Sequence, residues 1–266
     1  MPKKIIFTED QIQEMIHLRQ NEKWGFKKIG KKFNVSSQTV ERRLASLLGT
    51  DLGKMSLKYS YDEYFFYDID TAEKAYWLGF ITADGYVNED RKFVQIHLQW
   101  KDHLHLEKFR RCICAEKRIV VKKRIHSITH NYIAELTMNG GIFVKGLTKH
   151  GVRQNKSAKE EPPINIPDEF IRDYIRGLFD GDGHIDKKEI DLRGSYKLCK
   201  WAQKHLIDKC SASKTKIQFD SNIYRVYFCK NRINILNYLY YENVNKNIVL
   251  DRKYKTVCGI LDRKIM

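Results

Sequence analysis

Two aspartates, each ending a short apolar run and each followed by glycine, set the chemistry open to this chain. Residues 76–87 read YWLGFITADGYV and residues 174–185 read YIRGLFDGDGHI. Aligning Gly79 with Gly177 puts Asp84 on Asp182 and Gly85 on Gly183, an offset of 98 residues. On a helix, Gly79 and Ala83 share a face at i,i+4, as do Gly177 and Gly181. An interior glycine costs a helix about 1 kcal/mol relative to alanine. Small residues at matched positions therefore predict two helices crossing in close contact, with an interface built on Gly79, Ala83, Gly177 and Gly181. Asp84 and Asp182 then arrive together at one end of that crossing. It is the C-terminal end of both helices, where the dipoles do not favour anions. Two acids there make sense if divalent cations bind them. Gly85 and Gly183 are read as left-handed stops.

The elements that position these acids repeat as well. Asp84 leads to an alternating stretch at 91–99, a helix at about 101–113, strands near 117–126 and 130–138, and a helix at 139–149. Asp182 leads to 184–193, a helix near 196–208, strands near 213–220 and 222–229, and a helix at 230–240. Each half reads α-β-β-α-β-β-α, a four-stranded sheet faced by helices. The fold class is α+β: two pseudo-symmetric αββαββα units packed through their motif helices, with a small three-helix module in front. The expected divisions are 1–50 for that module, 51–69 for an aromatic-rich connector, 70–162 for the first repeat and 163–266 for the second. Tyr59, Tyr61, Tyr64, Phe65, Phe66 and Tyr67 are too many rings to leave in water, so the connector should lie on the body.

Charge names the partner class. Lys and Arg number 49 against 33 Asp and Glu, a net charge of +16 on a chain that is 42% hydrophobic and 12% aromatic. This is a folded chain that favours polyanions over small neutral substrates. No stretch is long and apolar enough for a signal peptide or a spanning helix, so no membrane role is expected. Six cysteines (112, 114, 199, 210, 229 and 258) are too scattered for a disulfide framework. Cys112 and Cys114 lack the spacing of a zinc pair, and a reducing compartment follows. His126 and His130 need not share a face.

The first fifty residues hold ten basic and five acidic side chains. Thr8 with Gln11 makes a capping box, and Ile12, Met15, Ile16 and Leu18 a helical stripe broken at Gly25. Phe26, Ile29, Gly30 and Phe33 form a second helix. After a turn at Asn34, Ser36 or Ser37 caps a third, with Val40, Leu44 and Leu47 apolar. This pattern resembles a helix-turn-helix, whose third helix would present Ser37, Gln38, Glu41 and Arg42 to a major groove.

WLGFITADG (77–85) and IRGLFDGDG (175–183) resemble the paired motifs of the LAGLIDADG homing endonucleases in their single-chain, two-repeat form. The resemblance covers roughly residues 70–260. It implies a metal-dependent hydrolase that makes a staggered double-strand break in a long DNA target. It also implies Asp84 and Asp182 as metal ligands, with Ala83 and Gly181 adding main-chain carbonyls. Mg2+ is the implied cofactor, Mn2+ a substitute, and Ca2+ an ion that binds without efficient cleavage. A basic residue some seventy positions beyond each motif is implied as well, and Lys156 and Lys253 occupy those places; Lys159, Arg252 and Lys255 are their rivals. The sixth motif position is Thr82 in one repeat and Asp180 in the other, and the resemblance attaches little to it. Trp77, Leu78, Ile175 and Arg176 depart from the usual opening residues and are read as outer positions of the helices.

Strand alternation suggests how DNA would be read. Arg91, Gln95, His97 and Gln99 oppose Val94, Ile96 and Leu98. Arg118, Lys122, Arg124 and His126 oppose Ile119, Val121 and Ile125. In the second half Lys187, Glu189, Asp191 and Arg193 alternate with Ile190 and Leu192. Lys214, Lys216 and Gln218 oppose Ile217 and Phe219, and Arg225 and Tyr227 continue alongside. Such a mixture of donors and acceptors suits base edges, while the surrounding lysines and arginines suit phosphates. The expected protein is a monomer acting on double-stranded DNA without an obligate protein partner. Its expected location is intracellular, cytoplasmic or nucleoid-associated in a bacterial or phage-infected host, and it would belong to a mobile element. The alternative is a catalytically silent DNA-binding regulator or an intron RNA splicing cofactor. An intein origin is disfavoured, since the flanking Cys or Ser and His-Asn of splicing blocks are missing.

Overall fold

The computed structural model describes residues 7–20, 22, 24–48, 59–123, 132–154, 159–241 and 244–261. The chain divides into two compact units, residues 1–60 and 61–266.

The first unit holds α1 (Glu9–Gln20), α2 (Phe26–Lys32) and α3 (Ser37–Leu48). The Gln11 amide donates to Thr8 Oγ1 at 3.3 Å and the Thr8 amide to Gln11 Oε1 at 3.0 Å, which closes the capping box. Met15, Leu18, Ile29, Val40 and Leu44 form its core. Asn34 takes φ 52° in the turn before α3. A β-carbon at Gly30 would press on the Val35 carbonyl, so glycine lets this turn close. Ser36 Oγ accepts from the Thr39 amide at 3.1 Å, making Ser36 the cap of α3.

In the second unit the first motif forms α4 (Ala72–Asp84), which Thr71 caps by accepting from the Lys74 amide. There follow β1 (Gly85–Asn88), β2 (Phe93–Gln99), α5 (His103–Cys112), β3 (Val120–Lys123), β4 (Tyr132–Asn139) and α6 (Gly141–Lys149). The second motif forms α7 (Ile171–Asp182), followed by β5 (His184–Ile185), β6 (Ile190–Gly194), α8 (Tyr196–Cys210), β7 (Gln218–Asp220), β8 (Ile223–Phe228) and α9 (Arg232–Tyr240). A further helix, α10 (Asp251–Ile260), completes the described chain. Both sheets are antiparallel, in the orders β1-β2-β4-β3 and β5-β6-β8-β7. The body is thus two pseudo-symmetric αββαββα units of α+β class, as the paired motifs imply.

Alternation sorts each sheet into a core face and an outer face. Val94, Ile96 and Leu98 are buried with Ala134, Leu136 and Met138; Ile190 and Leu192 are buried with Val226 and Phe228. Phe65, Phe66 and Ile69 from the connector enter the same core, where Phe66 meets Phe143 edge-on at 5.2 Å. Tyr64 and Tyr67 remain exposed, so only part of that aromatic run is buried.

Three readings of the sequence need correction. Trp77, Leu78, Ile175 and Arg176 are not outer positions: all four are buried, because each motif helix packs against its twin on one side and its own sheet and helices on the others. The Arg176 guanidinium meets Asp173 Oδ1 at 2.5 Å and the Leu239 carbonyl at 3.1 Å, and lies 5.5 Å from the Tyr76 ring centroid. Gly85 and Gly183 are extended, at φ −83° and −78°, not left-handed. They are needed because the chain turns directly from helix to strand, and a β-carbon would press on the Ile81 or Phe179 carbonyl. The stretch 184–193 holds two strands, as the αββαββα reading requires, and between them the Asp186 carboxylate accepts from the Lys188 and Glu189 amides and makes a turn. Val121, expected to be covered, is exposed along with the rest of β3 at the sheet edge.

Among the described residues no helix is long and apolar enough to cross a membrane.

Candidate active site and nucleic-acid interface

The motif helices cross where their side chains are smallest. A β-carbon at Gly79 would overlap the Tyr174 carbonyl, and one at Gly177 would overlap the Tyr76 carbonyl. Further along, Gly181 abuts the β-carbon of Ala83, and a β-carbon at Gly181 would lie 3.5 Å from the Asp84 amide nitrogen. The C-terminal ends of the two helices are therefore side by side. Asp84, exposed, and Asp182, half-buried, leave from those ends.

Lys253, in the first turn of α10, is buried at this junction. Its ammonium donates to the carbonyls of Phe179 and Gly183, at 2.6 Å each, and of Gly181 at 3.3 Å. Burial lowers its pKa to about 8, while Asp180, Asp84 and Asp182 pull the other way against Arg252. One cation thus senses both motif acids. The expected partner in the first repeat, Lys156, lies outside the described residues, as do Arg124 and His126. Of the rival cations, Arg252 pairs with Asp102 at 3.2 Å, while Lys159 and Lys255 are exposed.

A buried polar network supports Lys253. Asp180 Oδ2 accepts from Tyr76 Oη at 2.7 Å and from the Leu250 amide at 2.8 Å, and Oδ1 accepts from Tyr240 Oη at 2.7 Å. Tyr76 Oη also lies 2.9 Å from His105 Nε2. Burial pushes the Asp180 carboxyl up, opposed by Lys253 and these hydrogen bonds. Burial, with Asp180 alongside, raises Tyr76 and Tyr240 well above the usual phenol range, so both stay protonated donors. The twofold-related contact is weaker: Tyr174 Oη donates to Thr82 Oγ1 at 3.2 Å, and Thr82 donates to the Leu78 carbonyl. Tyr76, Tyr240, His105 and Asp180 were not predicted from the sequence. The Tyr76–Tyr174 match at the same 98-residue offset was the available signal.

The chain offers carboxylate and carbonyl oxygens at the crossing, a hard donor set. Among the described residues no three His, Cys, Asp or Glu side chains gather. Two carboxylates with main-chain oxygens fit Mg2+, which keeps several waters and takes one or two carboxylates plus substrate phosphate oxygens.

Each sheet carries a polar outer face. On the first, His97 pairs across the strands with Glu135, and Gln95 with Thr137. Glu135 Oε2 lies 2.8 Å from His97 Nε2 and 2.5 Å from Lys122 Nζ, and Gln95 donates to Thr137 Oγ1 at 2.9 Å. Burial raises the Glu135 carboxyl, yet Lys122 and His97 outweigh it and leave the pKa below the usual value. Gln99 and Arg118 are exposed, and Arg91 lies in the turn before β2. On the second sheet, buried Asp191 meets Arg193 Nε at 3.1 Å and Arg225 Nε at 3.6 Å, and Arg225 donates to Tyr227 Oη at 2.5 Å. Gln218 pairs with Arg225. Lys187 and Glu189 lie in the turn before β6, and Lys214 and Lys216 precede β7. Glu135 was missed in the sequence, although Ala134, Leu136 and Met138 alternating around it mark it as outward. In the first unit Ser37, Gln38, Glu41 and Arg42 are exposed on α3. Nearby, Lys28 stands 3.5 Å and Lys32 5.7 Å from the Trp24 ring centroid.

No protein-family model matches this chain, and no curated protein sequence does. Similar solved structures include full-length DUF199/WhiA from Thermatoga maritima, at 15% identity over 77% of this chain and 67% of that one, TM-score 0.46. The homing endonuclease I-WcaI bound to its DNA recognition sequence is similar at 16% identity over 74% and 89%, TM-score 0.47. Mesophilic variants of the homing endonuclease I-DmoI are similar at 14% identity over 68% and 92%, TM-score 0.44. Likeness at this level says nothing of activity.

Proposed function

We propose that this chain is a site-specific DNA endonuclease that makes a staggered double-strand break by divalent-metal-dependent hydrolysis, acting as a monomer. The observation that carries the reading is the pair of acids at the joined ends of the crossed motif helices, with the buried Lys253 ammonium within electrostatic reach of both. Asp84 and Asp182, with the Ala83 and Gly181 carbonyls, would hold Mg2+, which supplies a lowered pKa for attacking water and charge stabilisation at the scissile phosphate. Lys253 fixes the end of α7, so that Asp182 leaves the helix in one direction. The outer faces, rich in Arg, Lys, His and Gln, would lie along the duplex, and α3 would contact a flanking groove. One acid from each repeat suits one cut in each strand.

The test is selection of cleaved sites from a randomised duplex library with Mg2+, followed by plasmid linearisation. Asp84→Asn and Asp182→Asn should each abolish double-strand cutting while specific binding persists. Linearisation at the parental rate by either variant would remove the assignment, and light scattering should show one chain per duplex.

A second reading, a DNA-binding regulator or RNA splicing cofactor that does not cut, is favoured by one feature. The Lys253 ammonium already occupies three carbonyls at the end of α7, where a resident cation reduces the need for a metal. That reading gives sequence-specific binding with no product under any divalent ion.

A further inference from the structure

Two matched polar contacts between the motif helices differ in strength, and the stronger lies on the Lys253 side. Tyr76 of the first repeat reaches Asp180, while Tyr174 of the second reaches Thr82. Asp180 is tied further: it accepts from Tyr240 Oη on α9 and from the Leu250 amide, the residue immediately before α10. The carboxylate therefore pins the start of α10 to the middle of the junction. Lys253 stands three residues further on, in the first turn of that helix, and its ammonium is the one that fills the Phe179, Gly181 and Gly183 carbonyls. Thr82 has a single hydroxyl, already donated to Leu78 within its own helix. Unlike Asp180, it carries no charge.

We infer that Asp180 is a positioning residue: through the Leu250 amide and its own charge it holds Lys253 at the end of the second motif helix, which makes the two halves of the junction inequivalent. The consequence for cutting rests on the endonuclease reading above, but the positioning does not. Under that reading, the strand served from the Lys253 side depends on Asp180 and the other strand does not.

Two variants separate charge from clamping. Asp180→Asn keeps the volume: its amide oxygen can accept from Tyr76 and Leu250, and its NH2 can donate to Tyr240. It therefore removes mainly the charge. Asp180→Thr installs the residue of the first repeat and removes the clamp as well. Tyr174→Phe is the matched control, removing the other cross-repeat hydroxyl bond without touching Asp180. The first measurement is competitive acylation of lysines by a water-soluble anhydride on the full chain, read by mass spectrometry. Lys253 should label slowly in the parent and in Tyr174→Phe, faster in Asp180→Asn and fastest in Asp180→Thr, by about tenfold or more. Unchanged Lys253 labelling in a folded Asp180→Thr protein overturns the inference. The second measurement is strand-resolved nicking of a target labelled on either strand. A displaced active-site group costs on the order of 10- to 100-fold in rate, and here the loss should fall on one strand, with the other near the parental rate. Equal slowing of both strands overturns it. A parent protein that cuts neither strand, with the labelling order as stated, removes the endonuclease reading and supports the positioning role.

Discussion

The helix crossing gives the sharpest test, because alanine is the better helix former at every position concerned. Gly79→Ala and Gly177→Ala should each gain about 1 kcal/mol from helix propensity. Against that gain stands a β-carbon placed on the carbonyl oxygen of Tyr174 or Tyr76 in the facing helix. Main chain cannot swing aside as a flexible side chain would, so the helices must separate along the crossing. Overpacking of this kind costs about 1–3 kcal/mol and occasionally more. Subtracting the propensity gain leaves a loss of about 0–2 kcal/mol, and with a β-carbon overlapping a facing carbonyl oxygen both variants belong at its upper end. Gly259 in α10 supplies the contrast, since a β-carbon there meets nothing within 4 Å. Gly259→Ala should leave stability unchanged or raise it by up to about 1 kcal/mol. Urea and thermal melts of the full chain followed by circular dichroism read the difference, and in a body of this size 1 kcal/mol shifts Tm by about 2–4 °C. The double variant Gly79→Ala, Gly177→Ala should cost less than the sum of the two, because the first substitution already parts the helices at the shared contact. If Gly79→Ala or Gly177→Ala stabilised the protein as Gly259→Ala does, the close crossing would be refuted, and with it the juxtaposition of Asp84 and Asp182.

Other outcomes follow from the same structure. Asp173→Asn strands the fully buried Arg176 guanidinium without its anion and should cost about 3–5 kcal/mol; replacing the pair together, Asp173→Leu with Arg176→Met, should recover most of it in urea melts. The Glu135 carboxyl is held below its ordinary value of 4.5, so its stabilisation is complete above that pH and is lost as pH falls through the lower folded value. Glu135→Gln should flatten that acid limb of a stability profile, with a loss near neutrality of only about 1 kcal/mol because Lys122 and His97 are half exposed and rehydrate. Removing residues 1–50 should shorten the DNA footprint on one flank and lower the salt dependence by about one unit of slope per lost phosphate contact; a footprint of unchanged length would give the first unit a role other than DNA contact.

Much of the architecture was legible because it rests on short-range pattern. Small residues four apart predicted the crossing, alternation sorted both faces of the central strands, and the 98-residue offset paired the halves. What escaped was long-range polar structure. The three partners of Asp180 come from 104, 60 and 70 residues away, and no local period reveals such a meeting. Arg176 was misplaced for a related reason. A charged residue on a helix is ordinarily on its wet side, but α7 is buried continuously from Asp173 to Asp180 and has no wet side along that stretch. Its charge is met by Asp173 within the same turn, an i,i+3 pair that could have been seen in the sequence. The glycines at 85 and 183 show the converse: their presence was informative, but the reason was steric crowding rather than a left-handed backbone.

The repeat also shows where symmetry stops. By strand register, counted from Tyr86 and its counterpart His184, Gln95 and Thr137 on the first sheet correspond to Asp191 and Tyr227 on the second, and His97 and Glu135 to Arg193 and Arg225. The cross-strand geometry is the same, but the chemistry is not. The first set joins an amide, a hydroxyl, an imidazole and an acid, with Lys122 closing on that acid. The second joins two guanidinium groups around one buried carboxylate, with a phenol beside them. Guanidinium forks favour guanine edges and an amide favours adenine, so two faces built this way ask different things of a duplex. If both lie along the duplex as proposed, the repeated backbone imposes a two-fold frame on the DNA while the side chains impose an asymmetric sequence upon it. The same division holds at the junction, where Tyr76 and Tyr174 keep the symmetry and Asp180 against Thr82 breaks it. The repeat fixes the positions of these residues, and different side chains at matched positions give each half its own chemistry.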